Sequence, residues 1–186
     1  MIISINGDPG SGKSTVAEIL ANRFHLKNIY IGQIMRDLAK KKGITLEELG
    51  KICEKDPKID RETDKYIEDL GKEKDDFIIQ SRTAYHFIPQ SIKIFLEVEP
   101  QEGARRILQD LKSERGKHRN EGKRLNTIKD VEKSIQERMK SEKKRFKEYH
   151  SLDHHDRNSF DIVIDTTNTP AEEVAERIIE FVEKRK

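Results

Sequence analysis

The sequence has 186 residues, of which 33% are hydrophobic and 39% are charged, and its formal net charge at pH 7 is +2. A chain of this length and composition is expected to form one domain (1–186) with a small core and exposed helix faces. The single cysteine excludes an internal disulfide and is typical of a reducing compartment. An apolar strand pattern starts at the first Met, and no apolar run is long enough to span a membrane. We therefore expect a cytoplasmic protein without a signal peptide.

Basic residues are concentrated between 112 and 147, where fourteen Lys and Arg stand against six Asp and Glu. This block carries +8, so the rest of the chain carries −6. A basic block of this kind can close over a polyphosphate or meet nucleic acid. It contains no aromatic residue before Phe146, which argues against a platform for stacking single-stranded bases. We favour the polyphosphate and do not expect nucleic acid as a partner.

The chain opens with a strand pattern, a glycine-rich turn and a helix pattern. Residues 2–5 are rich in Ile, and from Val16 the apolar residues recur at helical spacing. Between them, 7–15 match G-x-x-x-x-G-K-[ST]. Glycines let backbone N–H groups approach a polyphosphate closely, and the helix N-terminus adds its positive dipole end. The predicted nucleoside triphosphate site comprises Gly7, Asp8, Pro9, Gly10, Ser11, Gly12, Lys13, Ser14 and Thr15.

Two side chains of this loop have predicted chemical roles. Lys13 can reach the β- and γ-phosphates, and the Ser14 hydroxyl can ligate Mg²⁺. The glycines do not follow the order G-x-G-x-x-G, which argues against a dinucleotide site.

Strand and helix patterns alternate through the rest of the chain. In order, we predict a strand at 28–31, helices at 33–42, 45–54 and 59–70, strands at 77–79 and 92–98, a helix at 100–111, a loop or mobile hairpin at 112–126, a helix at 127–149, a polar loop at 150–158, a strand at 161–165 and a helix from 170. This alternation predicts a parallel sheet between helix layers, with ligands beyond the C-terminal strand ends. The helical excursion 32–74 is large enough to form one wall of a second site.

Four arginines occupy positions that suit phosphate binding. Arg36 lies on the first helix of the excursion and Arg82 follows the third strand, while Arg138 and Arg145 share one face of the long helix. Phosphoryl transfer depends on positioned cations, and the guanidinium fork bonds two phosphate oxygens at once. A surface ion pair is the competing interpretation for each arginine. It is weakest for Arg82, which stands at the ligand end of a strand.

The adjacent histidines His154 and His155 are a weaker candidate for a metal site. Neighbouring side chains do not share a helix face, and no nearby cysteine completes a ligand set. We expect them to have structural roles.

Nearly the whole chain resembles the cytidylate kinases of the nucleoside monophosphate kinase family. Besides the glycine-rich loop, the matching stretches are 31–39, 56–61, 81–89 with 93–96, and 137–146. The resemblance implies an α/β P-loop kinase fold with three α/β/α layers and a five-stranded parallel sheet of order 2-3-1-4-5. It also implies a monophosphate-binding insertion (32–74) and a basic lid (112–147).

The resemblance further implies ATP-dependent phosphorylation of CMP or dCMP, assisted by Mg²⁺, in a protein expected to be a monomer. Residues 7–15 would hold ATP and Mg²⁺. The implied roles of the other residues are catalysis for Lys13, Arg138 and Arg145, acceptor phosphate binding for Arg36 and Arg82, and a place near the acceptor's sugar or base for Asp60 and Arg61.

Two departures from the family pattern leave questions open. Many cytidylate kinases have Gly-Arg-Asp where this chain has 81–83, so the change to Thr83 leaves the choice of base open if that Asp reads cytosine. Gln80 ends the third strand in place of an aspartate, so Mg²⁺ would depend on Ser14, waters and the phosphates. The alternatives are a kinase for another monophosphate or small molecule, and an RNA-associated ATPase. A GTPase switch is disfavoured because the sequence has no N-K-x-D.

Overall fold

The computed structural model describes residues 1–113 and 125–185. Strands and helices alternate along these residues. The strands are β1 (Ile2–Gly7), β2 (Lys27–Tyr30), β3 (Phe77–Gln80), β4 (Ile92–Glu97) and β5 (Ile162–Asp165). The helices are α1 (Lys13–Phe24), α2 (Ile31–Lys41), α3 (Leu46–Cys53), α4 (Lys58–Glu73), α5 (Ala84–Phe87), α6 (Pro100–Leu111), α7 (Ile128–His150) and α8 (Ala171–Glu183), with a 3₁₀ turn at Arg157–Ser159.

The five strands form one parallel sheet in the order β2-β3-β1-β4-β5. β1 lies at the centre, where Ile3 pairs with Ile78 of β3 on one side and with Ile92 of β4 on the other. Every residue of β1 is buried, as expected for a strand covered on both faces. The predicted α/β fold and strand order are confirmed.

Successive side chains of β1 point to opposite faces of the sheet, so the core has two layers. Ile3 and Ile5 pack with apolar residues of α1 and α8, among them Leu20 and Ile178. Ile2 belongs to the second cluster, which joins β3 to α4 and the segment after β3. Helices therefore cover both faces of the sheet, and the layers are α/β/α.

Helices α2, α3 and α4 lie between β2 and β3 and enclose a small core of their own, made of Ala39, Leu49 and Cys53. A capping box between Thr45 and Glu48 starts α3. A second capping box, between Thr127 and Asp130, starts α7. Its Val131 packs against Ala104 and Ile107 of α6.

Some predicted boundaries are wrong. Ile31 begins α2 instead of ending β2, because the pairing of β2 with β3 stops at Tyr30 opposite Gln80. β4 ends at Glu97, one residue earlier than predicted. The short helix α5 was not predicted, since four residues are too few to show a helical period. Of the predicted loop at 112–126, the part from 114 to 124 lies outside the described residues. Among the helices of 1–113 and 125–185, none has both the length and the apolar character to span a bilayer.

Candidate active site

The glycine-rich loop connects the end of β1 to α1 and lies against two other backbone segments. A Cβ on Gly7 would stand 2.3 Å from the carbonyl oxygen of Leu96 in β4, and one on Gly10 would stand 2.3 Å from that of Gly103 in α6. Gly10 and Gly12 also have left-handed φ angles of 83° and 80°. Only glycine fits at the two contact points, so β4 and α6 fix the shape of the loop.

Two side chains of the loop point away from the cleft. The Asp8 carboxylate accepts a hydrogen bond from the Val98 backbone N–H at 3.3 Å, and His155 Nε2 lies 3.4 Å from its other oxygen. Ser11 is buried. These positions therefore shape the loop and leave its backbone to face a ligand.

Lys13 reaches back over the loop. Its Nζ donates to the carbonyl oxygens of Gly7 at 2.9 Å and Asp8 at 2.6 Å. Burial, with repulsion from Arg82, holds the pKa of the Lys13 amine well below its usual value. An anion bound at the loop would relieve both effects, so the electrostatics of this position favour a polyphosphate.

Ser14 lies beside the end of β3. Its hydroxyl donates to Gln80 Oε1 at 3.1 Å, and Gln80 Nε2 donates to Asn28 Oδ1 at 2.9 Å. These groups offer neutral oxygens, and Mg²⁺ prefers oxygen ligands. The residues present fit a Mg²⁺ ion whose counter-charge comes from the phosphates of a nucleotide.

Arg82 lies directly after β3 and faces the glycine-rich loop, in the crevice predicted from its place in the sequence. Its guanidinium donates to the Gly7 carbonyl oxygen and, at 3.3 Å, to Asn6 Oδ1. On its other side, Arg82 Nε lies 3.1 Å from a carboxylate oxygen of Glu142. Arg82 therefore joins the loop to α7.

Glu142 is a residue of the cleft that sequence reasoning missed. Its second oxygen lies 3.8 Å from Arg138 Nε, and His154 Nε2 lies 3.9 Å from the first. Burial opposes ionisation of Glu142, but the positive charges of Arg82 and Arg138 outweigh it and hold its pKa at about 2. The spacing of Arg138 and Glu142, four residues apart on a helix, was the only signal in the sequence.

Besides Arg82, the predicted acceptor residues lie on α2 and α4. Arg36 is buried and donates to the Tyr30 hydroxyl at 3.0 Å. Arg145 of α7 pairs with both carboxylate oxygens of Asp60, and both partners are buried. Arg61 is exposed and lies outside the lining of the cleft, so its contact with an acceptor stays a prediction.

A second buried carboxylate, Asp64, lies one turn further along α4 and was also missed. Thr83 Oγ1 donates to Asp64 Oδ1 at 2.9 Å, and His150 Nε2 of α7 lies 2.7 Å from Oδ2. Burial raises the pKa of Asp64, and these two neighbours offset the rise only in part.

These groups surround one cleft of about 960 Å³. The phosphate loop and α6 line one part of the cleft, and α2 to α4 form a side wall. Helix α7 meets this wall through the Arg145–Asp60 pair and adds Arg138, Glu142 and Arg145 to the lining. A cleft of this size is large enough for two small ligands side by side.

His154 and His155 lie behind the cleft. His154 is fully buried against Phe146, and burial lowers the pKa of its imidazole to about 3. Its backbone carbonyl accepts a hydrogen bond from Asn6 Nδ2 at 2.9 Å. Ligand atoms of Asp153, His154 and His155 lie within 4.8 Å of one another. After burial, the negative charge of Glu142 acts most strongly on the His154 pKa and raises it, whereas Arg82 lowers it. A structural role for His154 and His155 stays a prediction.

The comparisons with known proteins agree with this geometry. Residues 2–168 match the model of the cytidylate kinase-like family. The chain is 34% identical to the cytidylate kinase of Methanococcoides burtonii over 90% of its own length and 88% of that protein. It is 36% identical to that of Sulfurisphaera tokodaii over 97% of its own length and 93% of the relative.

Solved structures similar to this one share its fold at low sequence identity. Shikimate kinase from Bacteroides thetaiotaomicron superposes with a TM-score of 0.63 at 16% identity, over 98% of both chains. Shikimate kinase from Aquifex aeolicus gives a TM-score of 0.55 at 21% identity, over 100% of this chain and 98% of the other. The sheet order, the phosphate loop and the family match over most of the chain lead to one conclusion: the chain belongs to the cytidylate kinase-like family.

Proposed function

We propose that this protein transfers the γ-phosphoryl group of ATP to CMP or dCMP, giving ADP and the pyrimidine nucleoside diphosphate. The observation that carries the proposal is the position of Arg82. It joins the phosphate loop to α7 inside a cleft of about 960 Å³ that α2 to α4 also line. The names of the relatives support cytidine monophosphates as acceptors.

In the proposed reaction, the loop 7–15 holds the ATP phosphates with its backbone N–H groups and Lys13. An acceptor phosphate oxygen attacks the γ-phosphorus, the bond to the β–γ bridging oxygen breaks, and ADP leaves with that electron pair. Arg36 and Arg82 hold the acceptor phosphate. Arg138 stabilises charge on the transferring group, with Arg145 beside it on the same helix face.

Ser14 would hold Mg²⁺ together with the phosphates and water. A bound Mg²⁺ neutralises phosphate charge. The Ser14 hydroxyl donates its proton to Gln80, which leaves the lone pairs of its oxygen for a cation and so supports this assignment.

The division of the chain is part of the same proposal. Residues 1–186 form one kinase domain, 32–74 bind the monophosphate and 112–147 act as a lid. The lining of the cleft by α2 to α4 and by α7 supports the two accessory roles. A monomer in the cytoplasm agrees with the single, buried cysteine and the small-molecule substrates.

The test is ADP release from ATP and Mg²⁺ with CMP, dCMP, UMP, AMP and GMP in turn. We expect CMP or dCMP to support turnover. Arg82→Ala should lower kcat/KM for the acceptor by about 100-fold or more, as for other lost charge-stabilising donors. Arg23→Ala is the matched control, since Arg23 pairs with Glu183 on the surface, and it should change the rate less than about twofold.

Lack of acceptor-dependent turnover would overturn the proposal. If RNA instead stimulated ATP hydrolysis, with a steep loss of affinity in salt, the RNA-associated ATPase would be the better reading.

A further inference from the structure

The side wall of the cleft contains a group of hydrogen-bonding side chains that the transfer step does not use. Arg82 and Thr83 are adjacent in the chain, but their side chains diverge. Arg82 reaches the phosphate loop, whereas Thr83 reaches Asp64 on α4. Both Thr83 and Asp64 line the cleft. An acceptor whose phosphate lies at Arg82 therefore has Thr83 and Asp64 among the polar groups of the cleft within its reach.

The hydrogen bonds around Asp64 determine what the wall offers to a ligand. Thr83 gives its only hydroxyl proton to Oδ1, and His150 Nε2 lies at hydrogen-bonding distance from Oδ2. An ionised carboxylate only accepts hydrogen bonds, and each oxygen can accept two. Each Asp64 oxygen thus has one polar neighbour: Thr83 lies beside Oδ1 and His150 beside Oδ2. The Asp64 carboxylate therefore has accepting capacity left, and Thr83 has no hydroxyl proton left to donate.

This property separates the pyrimidines. Cytosine carries an exocyclic amine, which donates, at the ring position where uracil carries a carbonyl oxygen, which accepts. A carboxylate would bond the amine and repel the carbonyl. A buried carboxylate is costly unless it accepts hydrogen bonds, and a bound amine would donate one more hydrogen bond to it.

We infer that Asp64 is a specificity-determining residue that accepts a hydrogen bond from the exocyclic amine of the acceptor base, with Thr83 and His150 orienting its carboxylate. The inference rests on the proposed function and names the part of the site that selects cytidine over uridine monophosphates.

The test compares kcat/KM for CMP and UMP at saturating ATP in three variants. Asp64→Asn can donate to a carbonyl as well as accept. We therefore expect its kcat/KM to fall by about 30-fold or more for CMP and not to fall for UMP. Thr83→Val removes the orienting donor and should reduce the CMP preference by about 5-fold or more. Asp69→Asn is the control on the same helix, because Asp69 pairs with Lys65 on the surface, and it should leave the preference unchanged.

A CMP analogue with hydrogen in place of the amine gives a readout that needs no variant. The native protein should use it at least about 10-fold less well than CMP. If Asp64→Asn fails to fold, the analogue and Thr83→Val decide the question. A CMP preference that survives Asp64→Asn, or an analogue used as well as CMP, would overturn the inference while leaving the kinase activity intact. Failure of the native protein to phosphorylate any pyrimidine monophosphate would refute the proposed function instead.

Discussion

Within residues 1–113 and 125–185, the Glu142 carboxylate lies beside both Arg82 and Arg138. Replacing Glu142 by Gln removes its negative charge, and the resulting loss of folding free energy follows from its pKa. The pKa of Glu142 lies at about 2, against an ordinary value of 4.5. Its side chain is only 13% exposed, so water screens the interaction little. A depression of this size corresponds to about 3 kcal/mol in favour of the folded state. That is the lower end of the cost of breaking a buried ion pair.

The sign and the pH window follow from the direction of the shift. Because the pKa in the folded state is depressed, the contribution of Glu142 is fully present above pH 4.5 and is lost as the pH falls towards 2. Native protein and Glu142→Gln should therefore differ by about 3 kcal/mol in the free energy of unfolding at pH 7. The difference should shrink to about half by pH 3.

The assay is urea denaturation at pH 7, 5 and 3, with Glu148→Gln as the control on an exposed position of α7. The control should change the free energy of unfolding by less than about 0.5 kcal/mol at each pH. A loss of less than about 1 kcal/mol for Glu142→Gln at pH 7, or a loss that stays constant down to pH 3, would show that Glu142 does not hold the two arginines together.

Three further substitutions test the phosphate loop. Gly10→Ala places a methyl group 2.3 Å from the Gly103 carbonyl, so it should remove the rise in Tm caused by ATP and Mg²⁺. Gly43→Ala is the control, because Gly43 also has a left-handed φ but no atom near the position of an added Cβ. An equal loss of the Tm rise in Gly43→Ala would mean that backbone strain, and not the contact with Gly103, is responsible. Lys13→Met should lower kcat by about 100-fold or more without lowering Tm, because burial already disfavours the charged amine; a lower Tm would contradict this. Ser14→Ala should raise the Mg²⁺ concentration needed for half-maximal rate, and an unchanged requirement would argue against Ser14 as a ligand.

Features encoded locally were predictable from the sequence. The phosphate loop follows from residues 7–15 alone, and the capping boxes at Thr45 and Thr127 follow from pairs three residues apart. The order of the strands could be predicted only from the family resemblance. The alternation of strands and helices along the chain predicts a parallel sheet but does not determine which strands are neighbours.

The interior of the cleft was not predictable in the same way. Thr83 and Asp64 are 19 residues apart, and Arg145 and Asp60 are 85 apart. No periodicity links such positions, because the contact forms only when α7 and the end of β3 are brought to α4 by the fold. The buried carboxylates looked like ordinary members of a highly charged sequence until their surroundings were known.

The central place of β1 has a consequence for how the chain acquires its structure during synthesis. β1 is made first, yet its partners are Phe77–Gln80 on one side and Ile92–Leu96 on the other. The Asp8 backbone N–H also bonds to the Leu96 carbonyl oxygen. The phosphate loop therefore cannot take its final form until more than half of the chain has been made. Such long-range pairing slows folding and leaves the apolar β1 exposed until its partners have been made, so β1 is open to aggregation during synthesis.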